Sequence, residues 1–267
     1  VLDALFVGVF RWGVAGAAVA TGLSQCVGGV FPLIYFLRPN SSLLRFRPAR
    51  LEWKPILRAC ANGSSELMSN VSSSLVSILY NFQLLRYYGE NGVSAYGVLM
   101  YVQFIFIAIF IGYSIGCAPV VGFHYGAENH GELKNMLGKS VLLMGIGGIV
   151  LTALAQGLAE PLAHIFVGYD AELYALTVHA FRLFSFTFLL AGFNIFASSF
   201  FTALNNGGVS AAISFLRTLV FQCACILILP ELIKVDGIWW SNFIAEIGSF
   251  LVSLLFLLGM RKKYRYF

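Results

Sequence analysis

Seven apolar stretches, each long enough to cross a bilayer, follow one another along this sequence and restrict its fold more than any other feature. The first, Gly13–Leu37, contains 25 residues and no charged side chain, and about 20 apolar residues suffice for a transmembrane helix. Only 11% of all residues are charged, against about 25% in soluble domains. We therefore expect an all-α polytopic membrane protein with seven transmembrane helices. The other six spans are predicted at about 56–86, 93–118, 138–158, 174–204, 209–229 and 237–260.

The basic residues are distributed unequally between the predicted loops, and this predicts the orientation. If the seven spans alternate sides, twelve Lys and Arg residues lie on the side of segment 38–54 and the carboxyl-terminal tail, and three lie on the other. Basic residues accumulate in cytoplasmic loops. We expect a multi-pass protein of the cell (inner) membrane with a cytoplasmic carboxyl terminus. The net charge of +5 then reflects this bias, and a nucleic-acid partner is not expected.

Segment 38–54 is the clearest linker, because two prolines and five basic residues interrupt the apolar pattern there. The first and last spans can also be aligned, with Val14 opposite Val235 and Gly16 opposite Gly237. Many transporters consist of two similar halves. The pattern predicts the last helix of a first six-helix lobe at 1–37, a cytoplasmic inter-lobe linker at 38–54 and a complete second lobe at 55–267. Since this leaves most of one lobe missing, we expect the chain to be a fragment.

The second span contains a carboxylate, Glu66, within a run that is otherwise apolar and rich in hydroxyl groups. A charge at bilayer depth costs about 2.5–3.5 kcal/mol on insertion scales, so such residues usually face a cavity or a partner. Hydroxyl and amide oxygens beside a carboxylate suit a hard cation such as Na⁺. We predict that Glu66 binds Na⁺ or exchanges H⁺. A solvated carboxylate near the cytoplasmic mouth, close to Pro55, is the alternative.

Further polar residues within the spans are candidates for ion or substrate binding. Asn70 lies one turn beyond Glu66 and shares its helix face, and Glu246 is a second intramembrane carboxylate. For the amides, hydrogen bonding between helices is the alternative. For Glu246, the alternative is an ion pair with Arg217 or Arg182, which the pattern favours. The remaining candidates are Asn81, Tyr101, Gln103 and Asn194.

The sequence gives no support for hydrolytic or redox chemistry. Its G-x-S-x-G match, Gly112–Gly116, lies inside the apolar span predicted at 93–118 and not at a strand-to-helix elbow. It lacks an H-E-x-x-H pair, a P-loop and a G-x-G-x-x-G turn, which place catalytic or phosphate-binding groups in enzymes. The cysteines fall in or beside apolar runs and are interpreted as small core residues. No enzyme activity and no cofactor is expected.

Three segments together resemble the multidrug and toxic compound extrusion (MATE) transporters. The segment Leu2–Thr21 is similar to the approach to the sixth helix of that family. The segment Ile115–Asn129, IGCAPVVGFHYGAEN, is similar to its G-x-x-x-G-A-x-N turn after a proline-containing helix end, and Ala180–Glu246 resembles helices ten to twelve. The resemblance covers nearly the whole chain. It implies two six-helix lobes joined by a cytoplasmic linker.

The resemblance also implies export of small organic cations or drugs in exchange for Na⁺ or H⁺, by alternating access of a central cleft. The sodium-coupled branch has an acid where this chain has Ser73, and another where it has Ala191. Neither acid is present, so the chain looks closer to the DinF-like branch, whose coupling carboxylate lies in the first helix. In that case the missing amino-terminal lobe is the partner that completes the cleft.

Two other functions are also compatible with the sequence. A lipid-linked oligosaccharide flippase of the same superfamily would need several basic residues around its cavity, whereas the intramembrane charge here is one acid per candidate site and two peripheral arginines, Arg182 and Arg217, which favours cationic substrates. A non-transporting membrane scaffold or partial product is the second alternative. We expect that this chain alone does not transport, because half of the cleft is missing.

Overall fold

The structure, a computed structural model, describes residues 2–38 and 52–266. Most of the predicted inter-lobe linker therefore lies outside the described residues. The chain forms two units, Val1–Trp53 and Lys54–Phe267, which are described separately. All elements in the described parts are helical, because long apolar segments must satisfy their backbone hydrogen bonds internally.

The first unit contains a short π-helix, Ala4–Val9, and the helix α1, Gly13–Leu37. The α1 bounds agree with the apolar stretch predicted from the sequence. Only Gly16 and Ala20 of α1 are buried. At Gly16 an added Cβ would lie 3.1 Å from the Phe6 carbonyl oxygen. The small residues of α1 thus allow the preceding π-helix to pack closely against it.

The second unit consists of seven α-helices with a 3₁₀ turn and a π-helical turn between them. The 3₁₀ turn Ser185–Thr187 separates α4 from α5, and the π-helical turn Leu216–Phe221 separates α6 from α7. The α-helices are α2, Trp53–Gly126; α3, His130–Val167; α4, Ala171–Phe184; α5, Phe188–Ala203; α6, Gly207–Phe215; α7, Gln222–Ile233; and α8, Asp236–Tyr264.

Six helical segments of the described chain are long and apolar enough to cross a membrane. They are α1, α2, α3, the continuous segments Ala171–Ala203 and Gly207–Ile233, and α8. The predicted all-α membrane fold is confirmed at this level. The longest segment, α2, contains 74 residues and is interrupted at Gly89, where φ is 62° and ψ is −150°. Such angles are accessible almost only to glycine.

The structure differs from the sequence prediction around two loops. The sequence predicts a boundary between the spans at about 56–86 and 93–118, but within α2 only Gly89 departs from helical angles. We also expected Pro119 to end a helix, whereas α2 continues to Gly126. Neighbouring helices can satisfy the carbonyl that a proline leaves unpaired inside a membrane helix. The span predicted at about 138–158 lies within the longer helix α3, His130–Val167.

Asparagine and aspartate side chains determine where three of these helices begin. Asn129 accepts a hydrogen bond from the Glu132 backbone N–H at the start of α3. Asp170 accepts from two backbone N–H groups of α4, and Asn206 accepts from the Val209 N–H of α6. These contacts satisfy backbone donors that a helix leaves free in its first turn.

Helix α5 lies at the centre of the second unit and packs against α3, α6 and α8. Phe188, Phe196 and Phe201 are almost fully buried along its length. A helix that is apolar on all faces is typically buried. At Gly148 of α3 an added Cβ would lie 2.7 Å from the Leu189 carbonyl oxygen, so the two backbones nearly touch. Any polar side chain on α5 must therefore find its partners inside the protein.

Candidate functional site

The amino-terminal part of α2 carries a polar stripe, by which we mean Glu66, Asn70, Ser73, Ser77 and Asn81. Their spacing places them near one helix face, and the first three are exposed. The amide Nδ2 of Asn70 donates to the Glu66 carbonyl oxygen at 2.8 Å, and that of Asn81 donates to the Ser77 carbonyl at 2.9 Å. Among the side chains described, none binds the Glu66 carboxylate. The stripe therefore presents oxygen atoms to an open surface.

The adjacent face of α2 is buried and holds the helix against α7 and α8. The Tyr80 hydroxyl lies 2.6 Å from the Ser241 hydroxyl of α8, and Gln83 donates to the Ile226 carbonyl of α7 at 3.1 Å. Near the break at Gly89, the Trp239 indole N–H donates to the Tyr88 hydroxyl at 3.1 Å. These contacts fix the rotation of α2 and leave Glu66, Asn70 and Ser73 of the polar stripe exposed, while Ser77 and Asn81 are half-buried.

A second polar centre, the Glu246 cluster, comprises Glu246, Arg217 and Asn194 and lies inside the second unit. The Arg217 Nη2 and Nε atoms approach Glu246 Oε1 at 2.7 and 2.9 Å, and Nε lies 3.2 Å from Oε2. Asn194 Nδ2 donates to Oε2 at 2.6 Å and to the Glu246 carbonyl oxygen at 3.1 Å. The Glu246 side chain is 2% exposed and that of Arg217 16%. Three helical segments thus meet at one buried ion pair.

Arg217 lies in the π-helical turn Leu216–Phe221. A π-helical turn adds one residue to the helix and often occurs at functional sites. One turn further on, Gln222 donates from Nε2 to Asn242 Oδ1 of α8 at 3.0 Å. The sequence left open whether Arg217 or Arg182 pairs with Glu246. The structure brings Arg217 to it, while Arg182 binds the exposed Glu160 at 2.6 Å.

Four hydroxyl groups form a second network between α5 and α6, which we call the hydroxyl cluster: Ser198, Thr202, Ser210 and Ser214. The Ser198 hydroxyl lies 2.9 Å from those of Ser210 and Ser214, and the Thr202 hydroxyl lies 2.6 Å from that of Ser210. Sequence reasoning missed this cluster. The sequence does contain a pattern that indicates it. Ser198 and Thr202 on α5 are spaced i, i+4, as are Ser210 and Ser214 on α6, and this spacing places each pair on one helix face.

The other predicted site residues lie apart from both centres. Tyr101 is 71% exposed, and no hydrogen bond of its hydroxyl to a described residue is present. Gln103 is half-buried, and its Oε1 is a buried atom without a partner in the described structure. Within residues 2–38 and 52–266, no three His, Cys, Asp or Glu side chains are placed to hold a metal ion together. A cation at Glu66 would therefore use hydroxyl and amide oxygens as its other ligands.

The MatE family model matches residues 67–226 of this chain, which include most of the polar stripe, the hydroxyl cluster and Arg217. The chain belongs to the MatE family. Members of this family are transporters and not enzymes, so the resemblance and the expected absence of enzyme activity are both confirmed at the level of the family.

Curated relatives of this MatE chain include the multidrug export protein MepA of Staphylococcus saprophyticus, which is 24% identical over 271 residues. The MepA protein of Staphylococcus aureus strain RF122 is 21% identical over 266 residues. Each match covers 98% of this chain and 58% of the relative. The MatE chain thus spans less than two thirds of the length of these relatives.

Solved structures show the same fold. A MATE protein in complex with MaL6 superposes with a TM-score of 0.83 at 22% identity, over 98% of this chain and 60% of that one. A MOP superfamily transporter from Pyrococcus furiosus gives 0.82 at 23% identity, over 97% and 60%. An outward-facing multidrug resistance MATE transporter gives 0.80 at 24% identity, over 98% and 60%. These likenesses show a MATE-like fold for the MatE chain.

Proposed function

We propose that this MatE chain is part of a cation-coupled antiporter that exports small organic cations or drugs by alternating access. The single observation that carries the proposal is the family match across 67–226, which begins directly after Glu66 and includes the other four residues of the polar stripe. An anionic, oxygen-rich surface suits cationic cargo and a hard coupling ion. The name of the MepA relatives, multidrug export protein, supports the same class of substrate.

We further propose that α1 is the last helix of a first lobe and that residues 55–267 form a six-helix second lobe. The break at Gly89 divides α2 into two segments, each long enough to span a bilayer. Counting them separately gives seven spans. An odd number of spans places segment 38–54 and the basic tail on the same side, which the distribution of Lys and Arg favours as the cytoplasm.

In this proposal the polar stripe lines the transport cleft and faces the amino-terminal lobe of the same protein. Glu66 binds Na⁺ or exchanges H⁺, and Asn70 and Ser73 add oxygen ligands. Since Ser73 and Ala191 stand where the sodium-coupled branch has acids, a coupling carboxylate in the first lobe, as in the DinF-like branch, belongs to the same proposal.

The flippase alternative receives less support from the geometry. A cavity for a lipid-linked pyrophosphate needs unpaired basic side chains that can meet its charge. In the part of the chain that the structure describes, Arg217 is bound to Glu246, and Arg182 is bound to Glu160. Both cations are therefore already neutralised by the protein.

The proposal is tested by ethidium efflux from cells that express the full-length protein with Glu66→Gln. We expect efflux to fall by about tenfold or more, which corresponds to about 1.4 kcal/mol of lost interaction, and its dependence on Na⁺ or on the pH gradient to weaken. Glu90→Gln, an exposed acid beyond the polar stripe, is the matched control. Unchanged efflux and unchanged ion dependence in the Glu66 variant would count against a coupling role for this residue.

A further inference from the structure

The hydroxyl cluster extends through the second unit from the α5–α6 turn towards the Glu246 cluster. Thr202, Ser210, Ser198 and Ser214 follow one another with oxygen–oxygen distances of 2.6 to 2.9 Å. A hydroxyl group donates one hydrogen bond and accepts others, so a row of hydroxyls can pass a proton from one oxygen to the next. The Thr202 and Ser210 hydroxyls also reach the Ser198 carbonyl oxygen, at 3.1 and 2.8 Å, so each must turn from this carbonyl to the next hydroxyl to pass its proton.

The outer end of this row lies beside an open cavity. A cavity of about 240 Å³ is lined by Arg58, Asn62 and Gly207 together with Ala61, Asn205 and Gly208. The Asn62 Nδ2 atom donates to the carbonyl oxygen of Thr202 at 3.4 Å. The wall of this cavity therefore contacts the residue that carries the first hydroxyl group of the row.

The inner end of the row lies one helical turn from the groups that bind Glu246. Ser198 follows Asn194 by four residues on α5, and Arg217 follows Ser214 by three residues, so each pair shares a helix face. Asn194 is 0% exposed, and its Oδ1 is a buried acceptor without a partner in the described structure. A buried acceptor of this kind usually binds an internal water, and one water here would span the remaining turn.

We propose that Glu246 is a proton-binding site, loaded from the cavity at the α5–α6 turn along the hydroxyl cluster and one internal water. Each hydroxyl passes its own proton inward and takes one from its outer neighbour. The last proton bonds to a Glu246 carboxylate oxygen, while the Arg217 guanidinium keeps its charge. The net charge of the pair rises from zero to +1. The role of this site in coupling rests on the antiport function proposed above. The protonation of Glu246 itself does not depend on that function.

Protonation would release Arg217, because a neutral carboxylic acid is a much weaker partner for a guanidinium than a carboxylate is. Arg217 is in a π-helical turn, and this irregular backbone can change more readily than a regular helix. The Glu246 cluster joins α5, α8 and the helix that contains the π-helical turn, so loading the site loosens the junction of three helical segments.

The charges around Glu246 are few. Arg217 is the one charged side chain of the described chain that contacts its carboxylate. His179 binds Asp236, ten residues before Glu246 on α8. The titratable or charged side chains that bond to α8 from other elements include Tyr80 and Tyr88 of α2, His179 of α4 and Arg217 of the π-helical turn. Helix α4 also carries Glu172, Tyr174 and Arg182, and α7 carries Cys223, Cys225 and Glu231.

Infrared difference spectroscopy of the full-length protein in lipid vesicles tests this proposal. Stepwise acidification should produce a carboxylic acid C=O band that Glu246→Gln removes. If that variant does not fold, Glu246→Gln combined with Arg217→Gln removes both charges and serves the same purpose. The absence of any titrating band that depends on Glu246, over the pH range in which the protein stays folded, would overturn the site.

The path is tested by the rate at which this band shifts in D₂O. Ser210→Ala with Ser214→Ala should slow the exchange by about tenfold or more, because a local opening of the packed helices must replace the missing hydroxyls. Ser140→Ala, a buried hydroxyl that instead contacts Tyr113 of α2, is the matched control and should leave the rate unchanged. Equal rates in all three proteins would overturn the path.

Ethidium efflux measured on the same proteins separates the two proposals. A titrating Glu246 band in a protein without cation-coupled efflux would support the proton site and contradict the antiport function. Coupled efflux without that band would contradict the proton site alone.

Discussion

At the scale of single residues, Glu246 shows how a carboxylate is accommodated within a membrane protein. Both carboxylate oxygens receive hydrogen bonds, from Arg217 and from Asn194. An ion pair of this kind contributes little net stability, because desolvation offsets the attraction, but removing one partner leaves a buried charge uncompensated. Removing Glu246 or Arg217 alone should therefore cost more stability than removing one member of an exposed ion pair.

Replacing Glu246 with Ala should destabilise the protein by about 3–5 kcal/mol, because the Arg217 charge then remains buried without a partner. The free energy of unfolding in mixed micelles, obtained from denaturant titration, measures this loss. Glu160→Ala disrupts the exposed pair with Arg182 and should cost no more than about 1 kcal/mol.

The double variant Glu246→Met with Arg217→Met is the second control. It should recover much of the loss, since apolar side chains of similar volume often replace a buried pair without cost. A Glu246→Ala protein as stable as the Glu160→Ala protein would show that the Glu246 pair is solvated.

At the scale of helical elements, Gly89 determines where α2 is divided. Its φ of 62° and ψ of −150° lie where a side chain causes strain, and an added Cβ would meet no atom within 4 Å. Any penalty for a side chain there thus comes from the backbone and not from crowding. Tyr88, which directly precedes Gly89, accepts a hydrogen bond from Trp239 of α8, and this contact places the break next to α8.

Gly89→Ala should therefore destabilise the second unit by about 1–3 kcal/mol, read from the same denaturant titration. Gly97→Ala is a matched control, because Gly97 has helical angles and also has open space at its Cβ. That change should be neutral or should stabilise the helix by up to about 1 kcal/mol. Equal effects of the two substitutions would mean that the helix is continuous at Gly89.

At the scale of the whole molecule, the second unit buries a mainly apolar core that contains a few polar clusters, and it exposes large apolar side chains together with the polar stripe. Large apolar side chains such as Phe104 and Phe123 are more than 70% exposed, as expected of a surface that contacts lipid. The polar stripe on α2 differs from this surface. A helix face of that composition is stable in a membrane only beside water or another polar surface.

In the proposed antiporter the polar stripe faces the amino-terminal lobe across the cleft, so we expect residues 1–267 expressed alone to give no Na⁺- or H⁺-dependent ethidium efflux. The MepA relatives are longer than this chain, which covers 58% of their length. This difference in length is the reason to expect a longer functional protein. Efflux from cells that express only residues 1–267, compared with vector alone and with the full-length protein, checks this. Clear ion-dependent efflux by residues 1–267 would contradict the expectation.

The sequence by itself determined the fold class, the approximate helix positions and the family. Uncharged length predicts α1 to the residue, and the boundary predicted between the spans 56–86 and 93–118 contains the break at Gly89, since both properties are local. The acids Glu66 and Glu246 could be recognised as unusual from position alone. The cost of a charge in hydrocarbon depends on depth along a helix, which the sequence gives directly.

Only the tertiary structure decided which groups meet. It paired Glu246 with Arg217 and not with Arg182, added Asn194 to that pair, and joined Ser198 to Ser210 across two helices. Such contacts depend on how each helix is rotated about its axis. Rotation is set by close backbone contacts such as that of Gly148 with Leu189 and by buried contacts between distant segments, which no local pattern specifies.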